Sequence, residues 1–197
     1  MQVTYRNAVL EEATSLTDLM LRAGGDILQF VLDELAPGVR AKQLYMHMIT
    51  SLESECSYQN CIVATIRAGQ SEMVIGMVNA FPTARLKGAS SACDLSDRET
   101  HLKPRTEMQD WDSYFLNQIA VFPEFSGQGI AARLMTEIFN RGIVEGFDRI
   151  TLHVWADNER AIRLYRRMGF VTVGVADVLW HPELPHIGGS ILMCKYL

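Results

Sequence analysis

Two segments in the second half of this 197-residue chain combine residue types that could do chemistry. The first is the turn Ser126-Gly127-Gln128-Gly129-Ile130-Ala131, which follows an apolar stretch and opens a helical pattern. At a helix start the first backbone N–H groups have no partner within the helix, and the helix dipole is positive. Glycines and a small alanine would let the phosphates of a ligand approach that backbone. The alternative is an ordinary strand-to-helix turn whose backbone needs glycine.

Other phosphate-binding motifs fit this turn poorly. It contains no Gly-Lys-Ser/Thr, so a nucleotide-hydrolysing phosphate loop is not indicated. It also lacks a third glycine at Gly-x-Gly-x-x-Gly spacing, and no dinucleotide-type strand–helix–strand unit stands at the N-terminus.

The second segment runs from Asn158 to Phe170 and has the pattern of a short helix. Asp157 or Asn158 can cap its start, and Gly169 stands where a left-handed residue would end it. Asn158, Ala161 and Tyr165 share one helix face, which would form a shallow groove with a hydroxyl at its end. The alternative is an amphipathic helix with its tyrosine hydroxyl at the surface.

Together the two segments resemble the GNAT superfamily of N-acetyltransferases. The turn matches the family pattern Arg/Gln-x-x-Gly-x-Gly/Ala except at its first position, where Ser126 stands. The later helix matches Asn-x-x-Ala-x-x-x-Tyr-x-x-x-Gly-Phe at every defining position. With Ser126 in place of Arg or Gln, one side-chain contact that the family pattern implies is absent. The backbone N–H groups of the turn, which would form a cradle for the phosphates, are unaffected.

The resemblance implies an α/β (α+β) fold with a mixed, mostly antiparallel central sheet, a splayed parallel strand pair and flanking helices. It implies acetyl-CoA as cosubstrate, a backbone N–H near Ala120 and Val121 that polarises the thioester, and Tyr165 as the catalytic acid. The residues that it implies for cofactor binding are Ile119, Ala120, Val121, Ser126, Gly127, Gln128, Gly129, Ile130, Ala131, Asn158, Ala161 and Tyr165.

The general base is left open by the sequence. Many relatives carry a carboxylate on the strand before the turn, but residues 114–118 contain no acid. Asp110, Asp112, Glu53 and Glu55 are candidates that could act through water, and no base is needed if the amine arrives neutral.

For three further sets of residues, a functional and a structural interpretation both remain open. His153 could face the cleft, although a lone strand histidine is more often packed or exposed. Arg160 or Arg163 could reach the 3′-phosphate of CoA, whereas Arg166 and Arg167 are better explained as complements to the helix dipole. Aromatic residues that could line the acceptor site, with core packing as the alternative for each, are Tyr45, Tyr58, Trp111 and Tyr114.

Composition and charge limit the kinds of partner and the cellular location that we expect for this chain. The net charge of −5 disfavours nucleic acid, and no apolar run approaches the roughly 20 residues of a membrane span. Because the N-terminus also lacks a signal-peptide pattern, we expect a cytoplasmic protein. His181 and His186 have no third ligand at metal spacing, so we expect no metal site. The scattered cysteines are expected to be buried or idle thiols, namely Cys56, Cys61, Cys93 and Cys194.

The apolar periodicity predicts one domain over residues 1–197, with the resemblance covering residues 116–170. The predicted strands are 3–9, 61–67, 73–81, 113–121, 149–155, 170–178 and 190–196, the second and third forming an antiparallel hairpin. The predicted helices are 13–23, 26–35, 41–52, 129–145 and 159–168, with a break at Gly24-Gly25. Residues 82–112 are polar and aperiodic and are predicted to form a long loop.

The expected function is transfer of an acetyl group from acetyl-CoA to a primary amine, of a small molecule in the first place. A protein or peptide amine is the second choice. The third is a CoA-binding regulatory module without turnover, which the missing strand carboxylate and Ser126 keep open. A homodimer is compatible with the sequence, which contains no specific signal for one.

Overall fold

A computed structural model describes residues 2–69, 71–87, 95–184 and 186–197. Met1, Gln70 of the predicted hairpin connection, residues 88–94 with Cys93, and Pro185 lie outside the described residues.

Seven strands and five α-helices are present in the described part of the chain. The helices are α1 (Ala13–Leu35), α2 (Ala41–Thr50), α3 (Asp97–Glu107), α4 (Ile130–Val144) and α5 (Glu159–Arg167). The strands are β1 (Val3–Asn7), β2 (Cys61–Ala68), β3 (Ser71–Pro82), β4 (Tyr114–Val121), β5 (Arg149–Trp155), β6 (Val171–Ala176) and β7 (Ser190–Tyr196). A single 3-10 turn, Pro123–Phe125, connects β4 to the start of α4.

The strands form one sheet in the order β1-β2-β3-β4-β5-β7-β6. The pairs β1–β2, β2–β3, β5–β7 and β6–β7 are antiparallel, so the predicted hairpin is confirmed. β4 and β5 are parallel, and their register consists of two pairs, Tyr114 with Ile150 and Phe115 with Thr151. The predicted mixed, mostly antiparallel sheet with one parallel pair and flanking helices is therefore confirmed.

The chain divides into two compact units. The first contains Met1–Gly25, Val39–Phe81 and Leu116–Arg141. The apolar stripe predicted for α4 is buried, with Ile130 at 3% and Leu134, Met135 and Ile138 at 0% exposure. At Gly76 of β3 an added Cβ would lie 3.1 Å from the Ala120 carbonyl oxygen, so glycine permits the close approach of β4.

The second unit contains Asp26–Gly38, Pro82–Phe115 and Gly142–Leu197. A buried apolar cluster joins the second half of α1, α3, β5, the end of β6 and the segment after it. The cluster consists of Phe30, Leu102, Trp155, Ala176, Val178 and Leu184. In the described ranges no helix is long and apolar enough to cross a bilayer.

The prediction of a loop across residues 82–112 was wrong, because α3 lies within it. A capping box starts this helix: the Ser96 hydroxyl accepts from the Glu99 N–H (3.2 Å), and the Glu99 carboxylate accepts from the Ser96 N–H (2.9 Å). Leu102 is its one fully buried residue, and Pro104 lies inside it. A helix with so little apolar surface and an internal proline gives almost no periodic signal.

The predicted break at Gly24 is present. Gly24 has a non-helical φ of −171° and ψ of 25°, and the resulting kink divides α1 into two helical halves. The side chain nearest to its Cβ position is Gln118 Nε2, 3.2 Å away, so this position has little room for a larger residue.

Candidate active site

The turn between β4 and α4 is anchored on its strand side and open on its helix side. The Phe122 N–H donates to the Ile75 carbonyl (2.9 Å) and the Ser126 N–H to the Pro123 carbonyl (3.0 Å). Gly127 and Gly129 follow with φ of 78° and 79°, a backbone region that glycine enters without a steric penalty. No atom lies within 4 Å of a Cβ built on either glycine.

On the helix side of this turn, the backbone N–H groups have no acceptor among the described residues. Throughout the described ranges, the N–H groups of residues 127–132 donate to no backbone or side-chain acceptor. Hydrogen bonding from the helix side begins with the Arg133 N–H, which donates to the Gly129 carbonyl at 3.1 Å. Residues 126–129 are exposed. A row of open N–H groups at the positive end of a 15-residue helix is suited to an anion.

The other predicted cofactor residues of the first unit lie on either side of this turn. Ile119, Ala120 and Val121 are half-buried at the end of β4, beyond its last recorded pair with β5. Ile130 is buried under α4, and Ala131 is half-buried. The structure thus brings these residues and the turn together in one continuous segment.

A hydrogen-bonded chain that the sequence did not reveal lies behind β4. The Gln118 side-chain N–H₂ donates to the Tyr45 hydroxyl (2.7 Å), and that hydroxyl donates to the Gly24 carbonyl (3.3 Å). A tyrosine hydroxyl has one hydrogen, so Gln118 must present its amide nitrogen to Tyr45. Its Oε1 is then buried and has no partner among the described residues.

Asn117 is held by a second polar contact in the first unit. Its Nδ2 donates to Asn79 Oδ1 (2.9 Å), and Asn79 Nδ2 donates to the Glu55 carbonyl (3.0 Å). The only sequence signal for both networks was the pair Asn117-Gln118 within an otherwise apolar strand.

In the second unit, α5 is capped at its start by Asn158, and Gly169 follows its end. Asn158, one of the two predicted capping residues, is the cap, because its Oδ1 accepts from the Ala161 N–H at 3.1 Å. The Asp157 carboxylate instead accepts from the Ile187 N–H at 3.1 Å. Gly169 has φ 90° at the other end, as its position predicted. Asn158 is exposed, Ala161 half-buried and Tyr165 buried.

The Tyr165 ring is buried rather than placed at the surface, with 7% exposure. It packs against Phe170, with 5.8 Å between ring centroids. Burial raises the pKa of the phenol to about 12, so it keeps its proton at neutral pH. Within the described ranges its hydroxyl has no hydrogen-bond partner, which leaves its proton available to a ligand.

Two candidate proton acceptors are already engaged. Asp110 accepts both the Nε (2.6 Å) and an Nη (2.9 Å) hydrogen of Arg149, which holds the pKa of its carboxyl below the usual value. His153 is packed: its Nε2 lies 2.9 Å from the Met108 carbonyl and its Nδ1 3.3 Å from Ser190 Oγ. Burial lowers the pKa of His153 to about 3, so this imidazole is neutral. Asp112 is exposed.

The remaining predicted side chains divide as follows. Arg160, Arg163, Arg166 and Arg167 are all exposed, and Arg163 pairs with Glu159 at 2.9 Å. Tyr45 and Tyr114 are buried, which favours core packing for both.

Cys56, Cys61 and Cys194 are free and buried. Burial raises the pKa of the Cys56 and Cys61 thiols to about 12, which agrees with idle thiols. No group of three or more potential metal ligands is present in the described part of the chain.

The sequence pattern of the Acetyltransferase (GNAT) family matches residues 39–170. The chain therefore belongs to this family. Mycothiol acetyltransferase of Frankia casuarinae is 41% identical over 71 residues, which are 36% of this chain and 20% of that protein. The chain thus aligns with about a fifth of the length of this relative.

Solved structures agree on the fold. An N-acetyltransferase from Staphylococcus aureus Mu50 superposes with a TM-score of 0.70 at 19% identity, over 98% of this chain and all of that one. The NatC complex bound to Gag peptide and CoA gives a TM-score of 0.57 at 15% identity, over 100% of this chain and 99% of that one.

Proposed function

We propose that this chain transfers the acetyl group of acetyl-CoA to a primary amine, in the first place that of a small molecule. The observation that carries the proposal is the row of N–H groups at residues 127–132, which have no acceptor among the residues that the structure describes. The residues present fit the cofactor, because the turn is exposed and no atom lies within 4 Å of a Cβ built on Gly127 or Gly129, so a phosphate can approach this backbone.

The end of β4 and the turn would hold the two ends of the cofactor. The open N–H groups bind its diphosphate, and backbone groups of Ile119, Ala120 and Val121 pair with the pantetheine arm. A backbone N–H at Ala120 or Val121 donates to the thioester oxygen, where negative charge develops during attack. When bound, acetyl-CoA supplies the activated acyl group.

Tyr165 donates a hydrogen bond to the departing sulfur. The attacking nitrogen loses one proton and the sulfur gains one, so the overall reaction needs no net acid. Support comes from the Tyr165 hydroxyl, which has no hydrogen-bond partner in the described ranges, and from burial, which raises its pKa to about 12 and so keeps the proton on the phenol at neutral pH.

The amine enters as the free base. Asp110 is committed to Arg149, His153 is neutral with both ring nitrogens engaged, and β4 carries no carboxylate. We therefore expect kcat/KM to rise with pH until the amine of the substrate is deprotonated.

The acceptor class has two candidates. Mycothiol acetyltransferase is among the relatives, and a complex that holds a peptide and CoA is among the structures of similar fold. The first favours a small-molecule amine, and the second keeps a peptide amine as the alternative.

The experiment is an amine screen. Purified protein is incubated with acetyl-CoA and a panel of primary amines, with short peptides that have free N-termini as a second set. Release of free thiol is followed, and products are identified by mass spectrometry. We expect thiol release that depends on a small amine. Calorimetric binding of acetyl-CoA without turnover would instead indicate a regulatory module, and absence of binding would refute the function.

A further inference from the structure

A histidine in the second unit lies between two carboxylates from distant parts of the sequence. His186, in the segment that leads to β7, has its Nε2 2.8 Å from Asp26 Oδ2 at the start of the second half of α1. Its Nδ1 lies 3.2 Å from both carboxylate oxygens of Asp157, in the turn between β5 and α5. The imidazole stacks on Trp155 with 4.4 Å between centroids and 12° between planes.

The geometry specifies the protonation state. An ionised carboxylate only accepts hydrogen bonds, and a neutral imidazole has a single N–H. Both contacts can therefore exist together only when His186 carries a proton on each nitrogen. The neutral ring would have to give up one carboxylate, because its lone pair would face an anion.

Asp157 transmits this arrangement to the start of α5. Its carboxylate accepts the His186 contact and the Ile187 N–H, while its carbonyl accepts from the Glu159 N–H at 3.0 Å. Asn158, the next residue, caps the helix. A fixed Asp157 side chain thus holds the backbone that presents the cap.

We propose that doubly protonated His186 is a positioning residue. It donates hydrogen bonds to both Asp26 and Asp157, an arrangement called the clasp below, and thereby fixes the turn that leads into α5. The clasp is closed when the imidazole is charged and loses one of its two links when the imidazole is neutral. Its effect on cofactor affinity, though not the clasp itself, rests on the proposed function.

The charges around His186 support this direction. Burial lowers its pKa, but the hydrogen bonds to Asp26 and Asp157 raise that pKa by more, so the net shift is upward. The hydrogen bond from His186 is the main cause that lowers the pKa of Asp26, which keeps that carboxylate ionised. From α3, the Arg105 guanidinium reaches the Trp155 ring, 5.7 Å from its centroid. The clasp is therefore complete below the ordinary histidine pKa of about 6.5 and is lost as pH rises through the higher folded value.

The direct test is an NMR titration of the five histidines in the full chain, with His186→Gln to assign the signal. We expect the pKa of His186 to lie above the ordinary histidine value of about 6.5, and Asp26→Asn and Asp157→Asn each to lower it. Asp177→Asn, which removes an exposed carboxylate before β7, is the matched control and should leave the titration unchanged. A His186 pKa at or below the ordinary value, or one that neither Asn variant lowers, overturns the proposal.

A second measurement separates positioning from packing. The Ile187 N–H donates to Asp157, so its exchange protection should fall several-fold as the wild-type protein passes through the His186 pKa. Protection that is independent of pH overturns the clasp, even if His186→Gln fails to fold.

A third measurement addresses the cofactor. Calorimetry would measure the affinity for acetyl-CoA at about pH 6.5 and at about pH 8.5. Between these two pH values, the affinity of the wild type should fall by a factor about three times larger than the affinity of His186→Gln. If the wild type bound no acetyl-CoA at either pH, the proposed function would be refuted. The NMR results would still show whether His186 holds Asp26 and Asp157 together. Equal losses in the two proteins would overturn the link from His186 to α5.

Discussion

Helices α4 and α5 each follow a β-strand and a short turn, but they differ in whether a side chain caps their first N–H groups. At α4 the donors of residues 127–132 have no acceptor in the described part of the chain, and no atom lies within 4 Å of a Cβ built on Gly127 or Gly129. At α5 the Asn158 side chain caps the helix, and Asp157 is bound from two sides. Because unmet donors must be satisfied by water or a ligand, the helix that lacks a cap of its own is the one suited to bind an anion.

Filling the open turn should have the largest effect. Gly129→Glu places a side chain and a negative charge in front of the donors, and we expect acetyl-CoA affinity to fall at least about 100-fold by calorimetry. Gly146→Glu is the matched control, since Gly146 also has positive φ (87°) and nothing within 4 Å of its Cβ position. Both variants should lose about 1 kcal/mol of stability through backbone strain. Equal affinities in the two variants would argue against the cradle.

Removing the phenol of α5 should affect turnover rather than binding. Tyr165→Phe keeps the buried ring but removes the proton that meets the sulfur, and we expect kcat to fall about 100-fold with little change in acetyl-CoA affinity. Because burial raises the pKa of Tyr165 to about 12, the phenol should cause no loss of rate below about pH 10. Tyr114→Phe, which removes a hydroxyl bound to Glu145 at 3.1 Å, is the control. An unchanged kcat in Tyr165→Phe would reject this role.

The two helix starts should also differ in stability. Asn158→Ala removes a side-chain cap and should lower the free energy of unfolding by about 1 kcal/mol in urea titrations, whereas Asn158→Asp should retain most of it. Ser126→Ala should change stability by less than about 0.5 kcal/mol, because in the described ranges its side chain has no hydrogen bond. A loss at Ser126 equal to that at Asn158 would remove the contrast between the helices.

The smallest effect is expected at Asp110, the carboxylate paired with Arg149. This pair keeps the pKa of Asp110 low, so its stabilisation is present above the unfolded pKa of about 3.9 and is lost as pH falls through the folded value. Asp110→Asn should cost about 0.5 to 1 kcal/mol in urea unfolding at about pH 7 and almost nothing near pH 2. We expect kcat to stay unchanged, and a large loss would identify Asp110 as a base.

The parts of the fold that could be predicted are those with strong local patterns. The buried stripe of Ile130, Leu134 and Ile138 repeats at helical spacing, and β2 and β3 are apolar runs joined by a short turn. Helix α3 was missed because its stability comes from the Ser96 and Glu99 caps and from Leu102. These features are too few to produce a periodic signal.

The candidate site divides in the same way. The α4 turn and the Asn158, Ala161 and Tyr165 spacing were visible because each is contiguous in sequence. Gln118 contacts Tyr45 across 73 positions, and His186 contacts Asp26 across 160. Contacts of that kind depend on the folded chain path, so a single sequence does not reveal them.

The three buried thiols make this protein convenient to study by sulfhydryl chemistry. Cys56, Cys61 and Cys194 are shielded, and burial raises the pKa of each of them, so Ellman-type reagents should modify them only slowly while the chain is folded. In a Cys93→Ser background, colour released during an assay would then report the product thiol of the cofactor alone. The same reagent added in urea would count opened molecules, so one dye could follow both turnover and unfolding.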